Sequence, residues 1–450
     1  MSLGTVPDGG LTHPVLRARF MLTRVYMWTG MIFMVLSWIV LMIASSELGK
    51  GGILHPYVLS SVHFFVVGTV LMTIQGAIMQ ITPVVFQGTL YSIPLGYAQY
   101  ALLLLGSIGL GGSFFVYWLP GLVISGLLVL LSILILFWNI GKSMRSLKKR
   151  ADALRVMIIG LFLLWTLVLG IFFVSGWGPS PTPNFLWNHL ESGLVGTFTT
   201  LILMLTPRLM NFFISSHYKS TQGMRTTSEG LLYGGLLLLI VGPLIVTSLP
   251  LSASHAFPIL VALPIWAGWL LYWIGYGLIL FRLIQHIRMR RRKEMEWIFH
   301  WIIGGLIGGW ILLFFWAMSS ALMTAGFSRY PEGWPGALLL VVLFGYIQWT
   351  VAAYMAKIMP FLRWMSRFDP TINPAIRQKP RRNPPNMRTV MPRGLTRTAL
   401  LAFFAGSLLL GAGMLRTLEA WTFLGSIIGA LGALLYMLSM VIMYRRTMMA

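Results

Sequence analysis

Apolar runs long enough to cross a bilayer recur twelve times along the chain, at roughly 22–45, 57–84, 93–117, 119–141, 155–177, 187–213, 230–249, 256–282, 297–324, 335–359, 397–415 and 419–444. A helix needs about 20 such residues to span the hydrocarbon. The pattern therefore predicts an all-α polytopic membrane bundle of twelve transmembrane helices over residues 22–444, flanked by segments 1–21 and 445–450. The break between the third and fourth runs rests mainly on Pro120, which disfavours one unbroken helix.

Within this pattern the second run is unusual. Residues 61–83 read SVHFFVVGTVLMTIQGAIMQITP, placing His63, Gln75 and Gln80 among apolar neighbours. Gly68, Met72, Gly76 and Gln80 recur every four residues and form one stripe of a helix, read here as a helix-packing seam. Gly304, Gly305, Gly308 and Gly309 make two overlapping GxxxG patterns in the ninth run, and Gly425 and Gly429 another in the twelfth. Such spacing lets backbones approach closely. The second, sixth and tenth runs end GAIMQITPVV, LILMLTPRLM and AAYMAKIMPFL, with Pro83, Pro207 and Pro360 at matching places. Three runs four helices apart predict a pseudo-threefold repeat of four-helix units.

Charge placement orients the bundle. With the N-terminus inside, only Lys50, Arg329 and Arg416 of the 33 Lys and Arg fall on outer connections. Basic residues are retained on the cytoplasmic side, so both termini are expected there. The net charge of +23 then serves topology and anionic lipid rather than nucleic acid. The stretch 288–293 and the Pro-rich loop 361–396 are expected to be cytoplasmic, the latter extended and mobile. Residues 1–14 are short and polar, so the first run is expected to remain as an anchor rather than a cleaved leader.

Composition narrows the chemistry. With 57% hydrophobic and 10% charged residues, no water-soluble enzyme domain is accommodated. The absence of cysteine removes thiolate metal sites, iron–sulfur clusters and Cys nucleophiles. Six of the eight histidines have ordinary positions: His13 and His286 in basic segments, His217 in an inner loop, His55 and His255 on the outer side, and His300 near the inner end of the ninth run. His63 and His189 instead lie one to two turns inside their helices. Glu191, in WNHLESGLVGTFTTL, is the acidic residue read as lying within a span, where a charge is costly and its owner a functional candidate. His189 and Glu191 are two apart and so lie about 200° apart around the axis. Ser192, Gly196 and Thr200 make a small polar stripe beside Glu191.

A His in the second helix and a His-x-Glu at the outer end of the sixth resemble subunit I of the heme–copper oxidases. The shorter oxidase-subunit-I-like proteins of Gram-positive bacteria are more similar still, in the Gly, Gln and Pro that follow His63 and in KIMPFLRW at 357–364. The resemblance implies a twelve-helix pseudo-threefold fold in a bacterial cytoplasmic membrane, with other respiratory subunits as partners. It implies that His63 is an axial heme ligand, that His189 stands where the family ligates copper or heme, and that Glu191 handles protons. Heme b is the implied cofactor.

The chain also departs from that pattern. The seventh run, LLYGGLLLLIVGPLIVTSLP, lacks the family's paired histidines, and 335–359 contains none of the two heme ligands expected there. Leu340 stands before Pro360 at the offset by which His63 precedes Pro83, and Met355 and Met359 lie roughly 20 Å deeper at 1.5 Å per residue. A three-imidazole copper site is not provided, and no metal site is assigned. These departures argue against oxygen reduction in the family's usual way and leave enzymatic activity open. Three readings remain: a redox or gas-sensing protein carrying heme on His63 or His189, an assembly or scaffolding subunit without metal, and a transporter using the polar seam of the second, sixth and tenth helices.

Overall fold

The computed structural model describes residues 13–175, 183–214, 216, 218, 221–248, 258–291, 294–324, 333–369, 386 and 389–449. Residues 1–12, most of the Pro-rich stretch, and His217 and His255 lie outside them, as does the side chain of His13. Among the described residues, twelve membrane-length helices follow in order: α1 (Arg19–Ile43), α2 (Pro56–Val84), α3 (Ile93–Phe115), α4 (Leu119–Ser143), α5 (Arg150–Ser175), α6 (Phe185–Ile214), α7 (Gln222–Leu244), α8 (Ala262–Arg288), α9 (Trp297–Ser320), α10 (Trp334–Phe368), α11 (Arg393–Arg416) and α12 (Glu419–Met448).

Several helices outrun their apolar pattern at the basic end. α7 starts at Gln222 rather than near 230, α8 continues to Arg288, and α10 passes through Pro360 to Phe368. An amphipathic turn beyond the apolar run still satisfies its backbone by continuing the helix, so hydropathy alone cuts it short. Lys357 is a buried residue inside α10, 4% exposed. His286 likewise sits buried within α8. Third and fourth helices do separate, through residues 116–118, where Tyr117 takes a left-handed φ of 60°. The start of α3 is tied to the end of α4: Asn139 accepts from the Ser92 backbone N–H at 3.0 Å and donates to its carbonyl at 2.8 Å. Ser92 Oγ in turn caps Leu95 N–H.

The described chain packs as two compact units, Met1–Leu154 with Gln348–Ala450, and Arg155–Ile347. In the first, the small-residue stripe of α2 lies against α1: a Cβ on Gly68 would meet Phe33 at 2.5 Å, and one on Gly76 would meet Tyr26 at 2.5 Å. The stripe is a packing seam. α3 and α4 touch where a Cβ on Gly106 would stand 3.1 Å from the Ser125 carbonyl, and α11 and α12 touch where one on Gly406 would stand 2.7 Å from the Gly425 carbonyl. At the basic end, Arg24 of α1 donates to Tyr444 of α12 at 2.9 Å while Arg363 of α10 lies over that ring.

In the second unit, α7 and α8 approach through Gly235, whose added Cβ would stand 2.6 Å from the Gly268 carbonyl. Glycine-mediated hairpins thus recur at α3–α4, α7–α8 and α11–α12, at intervals of four helices. Without a hydrophobic gain from helix contact in lipid, close dispersion packing of this kind holds such pairs. The GxxxG reading of α9 holds for one ridge only. Gly309 packs against Tyr346, whereas Gly304 and Gly308 face open space.

Candidate functional site

In α2, α6 and α10 the regular helix gives way to wider i→i+5 turns over Phe64–Leu71, Ser192–Thr199 and Val341–Ile347. Turns of this π type are rare and occur frequently at functional sites. The same three helices carry the internal prolines Pro83, Pro207 and Pro360. Each π segment contains a glycine in related surroundings: Val67-Gly68-Thr69, Val195-Gly196-Thr197 and Phe344-Gly345-Tyr346. Gly68 and Gly345 both precede their proline by fifteen residues, and Gly196 precedes Pro207 by eleven. The difference of four is close to one helical turn. These three spans are also the most enclosed, with 67%, 94% and 89% of their most apolar windows buried.

That alignment registers the candidate residues in a way the sequence alone did not reveal. The residues immediately before the three π segments are His63, Glu191 and Leu340. Glu191, and not His189, is thus the counterpart of His63. Leu340 is the counterpart that the offset from Pro360 already indicated, and it is fully buried with no ligating atom.

His63 lies in the first unit. Its Nδ1 is 2.8 Å from the Leu59 carbonyl one turn back, and its ring stacks on Phe114 of α3 at 4.5 Å. A carbonyl only accepts, so Nδ1 carries the proton and Nε2 is the basic nitrogen. His189, in the second unit, has the same tautomer through its contact of 2.9 Å with the Thr166 carbonyl of α5. Its ring edge lies against Gly170 and near Phe173 on that helix.

Glu191 is 3% exposed and faces another helix, α8, where the indole of Trp269 lies beside it. The Trp269 Nε1–H has no partner within hydrogen-bond distance. The angular separation of His189 and Glu191 is thus realised as contact with α5 and α8 respectively. The polar stripe that follows is a packed seam divided between the same two helices. Ser192 Oγ meets Thr166 Oγ1 at 2.7 Å and Gly196 meets Phe162, whereas Thr200 Oγ1 reaches Tyr272 on α8 at 3.2 Å. Thr197, Thr199 and Thr200 each donate to the carbonyl five residues back, at 3.0, 2.9 and 2.7 Å, so their hydroxyls brace the wide turns.

Two further polar clusters escaped the sequence reading. Gln99 of α3 donates to Gln75 of α2 at 2.5 Å, and Ser132 of α4 donates to the Gln99 carbonyl at 3.0 Å. Glu229 is a second buried acid, in α7, gathering arginines of three helices. It was hidden by starting the span at 230, although Arg225 and Glu229 stand at the i, i+4 spacing of a helical ion pair. Among the described residues no three His, Cys, Asp or Glu side chains converge as a metal-holding group. No protein-family model and no curated protein sequence matches the chain.

Proposed function

We propose that the chain is a divergent, oxidase-subunit-I-like membrane protein that holds one b-type heme through His63 and serves redox or gas sensing. The observation that carries this reading is the threefold recurrence of a π segment, with His63 and Glu191 at the same position in two of its copies. The glycine-packed hairpins at the same interval of four helices support a pseudo-threefold fold. The donor chemistry of His63 fits a heme iron: with Nδ1 held by a carbonyl, Nε2 is the ligating nitrogen, the arrangement that fixes metal-bound imidazoles. The position on α10 that corresponds is Leu340, so the fit is to a single protein ligand. A heme bound in this way supplies one-electron chemistry or a coordination position for a diatomic gas.

The residues around it have separable tasks. The Leu59 carbonyl and the face of Phe114 orient the His63 ring. Glu191 offers a buried proton-exchanging group, beside the Trp269 indole. His189 is a second imidazole with a basic Nε2, bound on the α5 side. On this reading the basic helix ends lie in the cytoplasm of a bacterial cell, as the bias of Lys and Arg supports.

The competing reading is a metal-free assembly subunit, favoured by the stacking of His63 on Phe114, which by itself satisfies a structural imidazole. An optical spectrum of detergent-purified protein, expressed with ample heme, separates the two. The heme reading expects a Soret band that is lost in His63→Ala and retained in His189→Ala. Colourless wild type, with both variants folding normally, establishes the scaffold reading instead.

A further inference from the structure

The two units balance the arginines of their basic ends differently. In the second, Glu229 of α7 accepts from Arg155 of α5 at 2.7 Å and from Arg225 of its own helix at 3.0 Å. In the first, two guanidiniums meet on one phenol instead. Arg24 of α1 donates through Nη1 to the Tyr444 hydroxyl at 2.9 Å, and the Arg363 guanidinium of α10 lies 4.1 Å from the centre of the same ring. Both charges are therefore in contact with a single side chain of α12. Arg24 is a charged neighbour of Arg363, as is Arg367 one turn along α10.

The groups that hold this pair are neutral. Arg24 is 9% exposed, and it also donates through Nε to the Phe20 carbonyl and through Nη2 to the Met21 sulfur, a weak acceptor. Arg363 donates through Nε to the Thr447 hydroxyl at 3.2 Å, and its two Nη groups have no hydrogen-bond partner among the described residues. Neither arginine forms an ion pair with a described carboxylate. Neutral acceptors fix the two side chains in place but leave adjacent positive charges together, and a buried charge without a counter-charge is costly.

The surroundings say what kind of anion answers them. Arg363 and Tyr444 are part-exposed, the Trp28 ring packs edge-on against Tyr444 at 5.8 Å, and Met21 beside Arg24 is 47% exposed. Tryptophan and tyrosine gather at headgroup depth, where one side of a ring is apolar and the other wet. An occupant here needs acceptor oxygens with negative charge at one end and apolar substance at the other. The non-bridging oxygens of a lipid phosphodiester accept from guanidinium Nη groups, and its acyl chains lie along Met21 and Trp28.

We infer that Arg24 and Arg363, aligned by Tyr444, form a binding site for the phosphodiester of an anionic phospholipid. Basic helix ends attract anionic lipid diffusely; this site differs in holding one phosphate between two guanidiniums fixed on a common ring. It is independent of the π segments and of any heme.

Thermal unfolding of the delipidated, detergent-purified full chain, titrated with phosphatidylglycerol, phosphatidylcholine or inorganic phosphate, tests this. Wild type is expected to gain stability saturably with phosphatidylglycerol and to respond far less to the other two. Arg363→Gln and Arg24→Gln each raise the midpoint lipid concentration about tenfold, the scale of one lost charge-assisted contact. Arg145→Gln, which removes the same charge from an exposed position after α4, leaves it unchanged. The site is refuted if phosphatidylglycerol stabilises no better than phosphatidylcholine, if Arg363→Gln keeps the wild-type midpoint, or if Arg145→Gln weakens binding as much as Arg363→Gln does. An equal response to inorganic phosphate overturns the lipid assignment. Should Arg24→Gln fail to fold, Arg363→Gln, at a part-exposed position, decides by itself.

Discussion

Gln75 shows how a single polar side chain acts when lipid offers it no water. Its amide oxygen accepts from Gln99, while its own nitrogen and the Gln99 oxygen remain unpaired. Removing one partner strands the other, which costs about 1–3 kcal/mol, whereas replacing both by apolar groups of similar shape approaches neutrality. Gln75→Ala is therefore expected to lower the thermal midpoint clearly, and the pair Gln75→Leu with Gln99→Leu to restore most of the loss; denaturation of the single and double variants measures it. Residue-scale reading from sequence went as far as type and depth. His63, His189, Glu191 and Gln75 all stood out because polar atoms are rare in apolar runs. Their partners did not, because Leu59, Thr166 and Trp269 become neighbours only through backbone carbonyls or helix packing.

Among the helices, α9 separates two roles for glycine on one element. A Cβ at Gly309 runs into the Tyr346 ring, while one at Gly308 meets nothing within 4 Å. Overpacking at a tight contact costs about 1–3 kcal/mol, and alanine at an open helical position gains about 0.5–1 kcal/mol from reduced backbone freedom. Gly309→Ala should then lower the unfolding midpoint and Gly308→Ala raise it, as differential scanning fluorimetry would show. The GxxxG spacing marked both ridges equally, for sequence gives the interval and not the neighbour. Span number and order were legible from apolar runs alone, since each run must satisfy its own backbone in lipid. The π turns of α2, α6 and α10 were not: their hydropathy is that of any buried helix, and only the glycine and β-branched residues within them leave a trace.

Taken as a whole molecule, the chain has its basic residues gathered at helix ends by independent contacts in each unit: Arg24, Arg363 and Tyr444 in one, and Arg155, Arg208, Arg225 and Arg282 around Glu229 in the other. Absence of cysteine makes sidedness directly measurable. An impermeant maleimide should label Lys50→Cys on intact cells and Arg445→Cys only in inverted vesicles; the opposite pattern would reverse the charge-based orientation. The three π segments also fix something that no substitution would expose, namely the number of residues along these helices. If the wide turns persist, losing one residue from Ser192–Thr199 swings everything after it by roughly a quarter turn around the axis. Thr200 would leave Tyr272, and the whole face leading to Pro207 would address different neighbours. Loops can change length by one residue at little expense, whereas at these three places a single insertion or deletion re-aims half a helix.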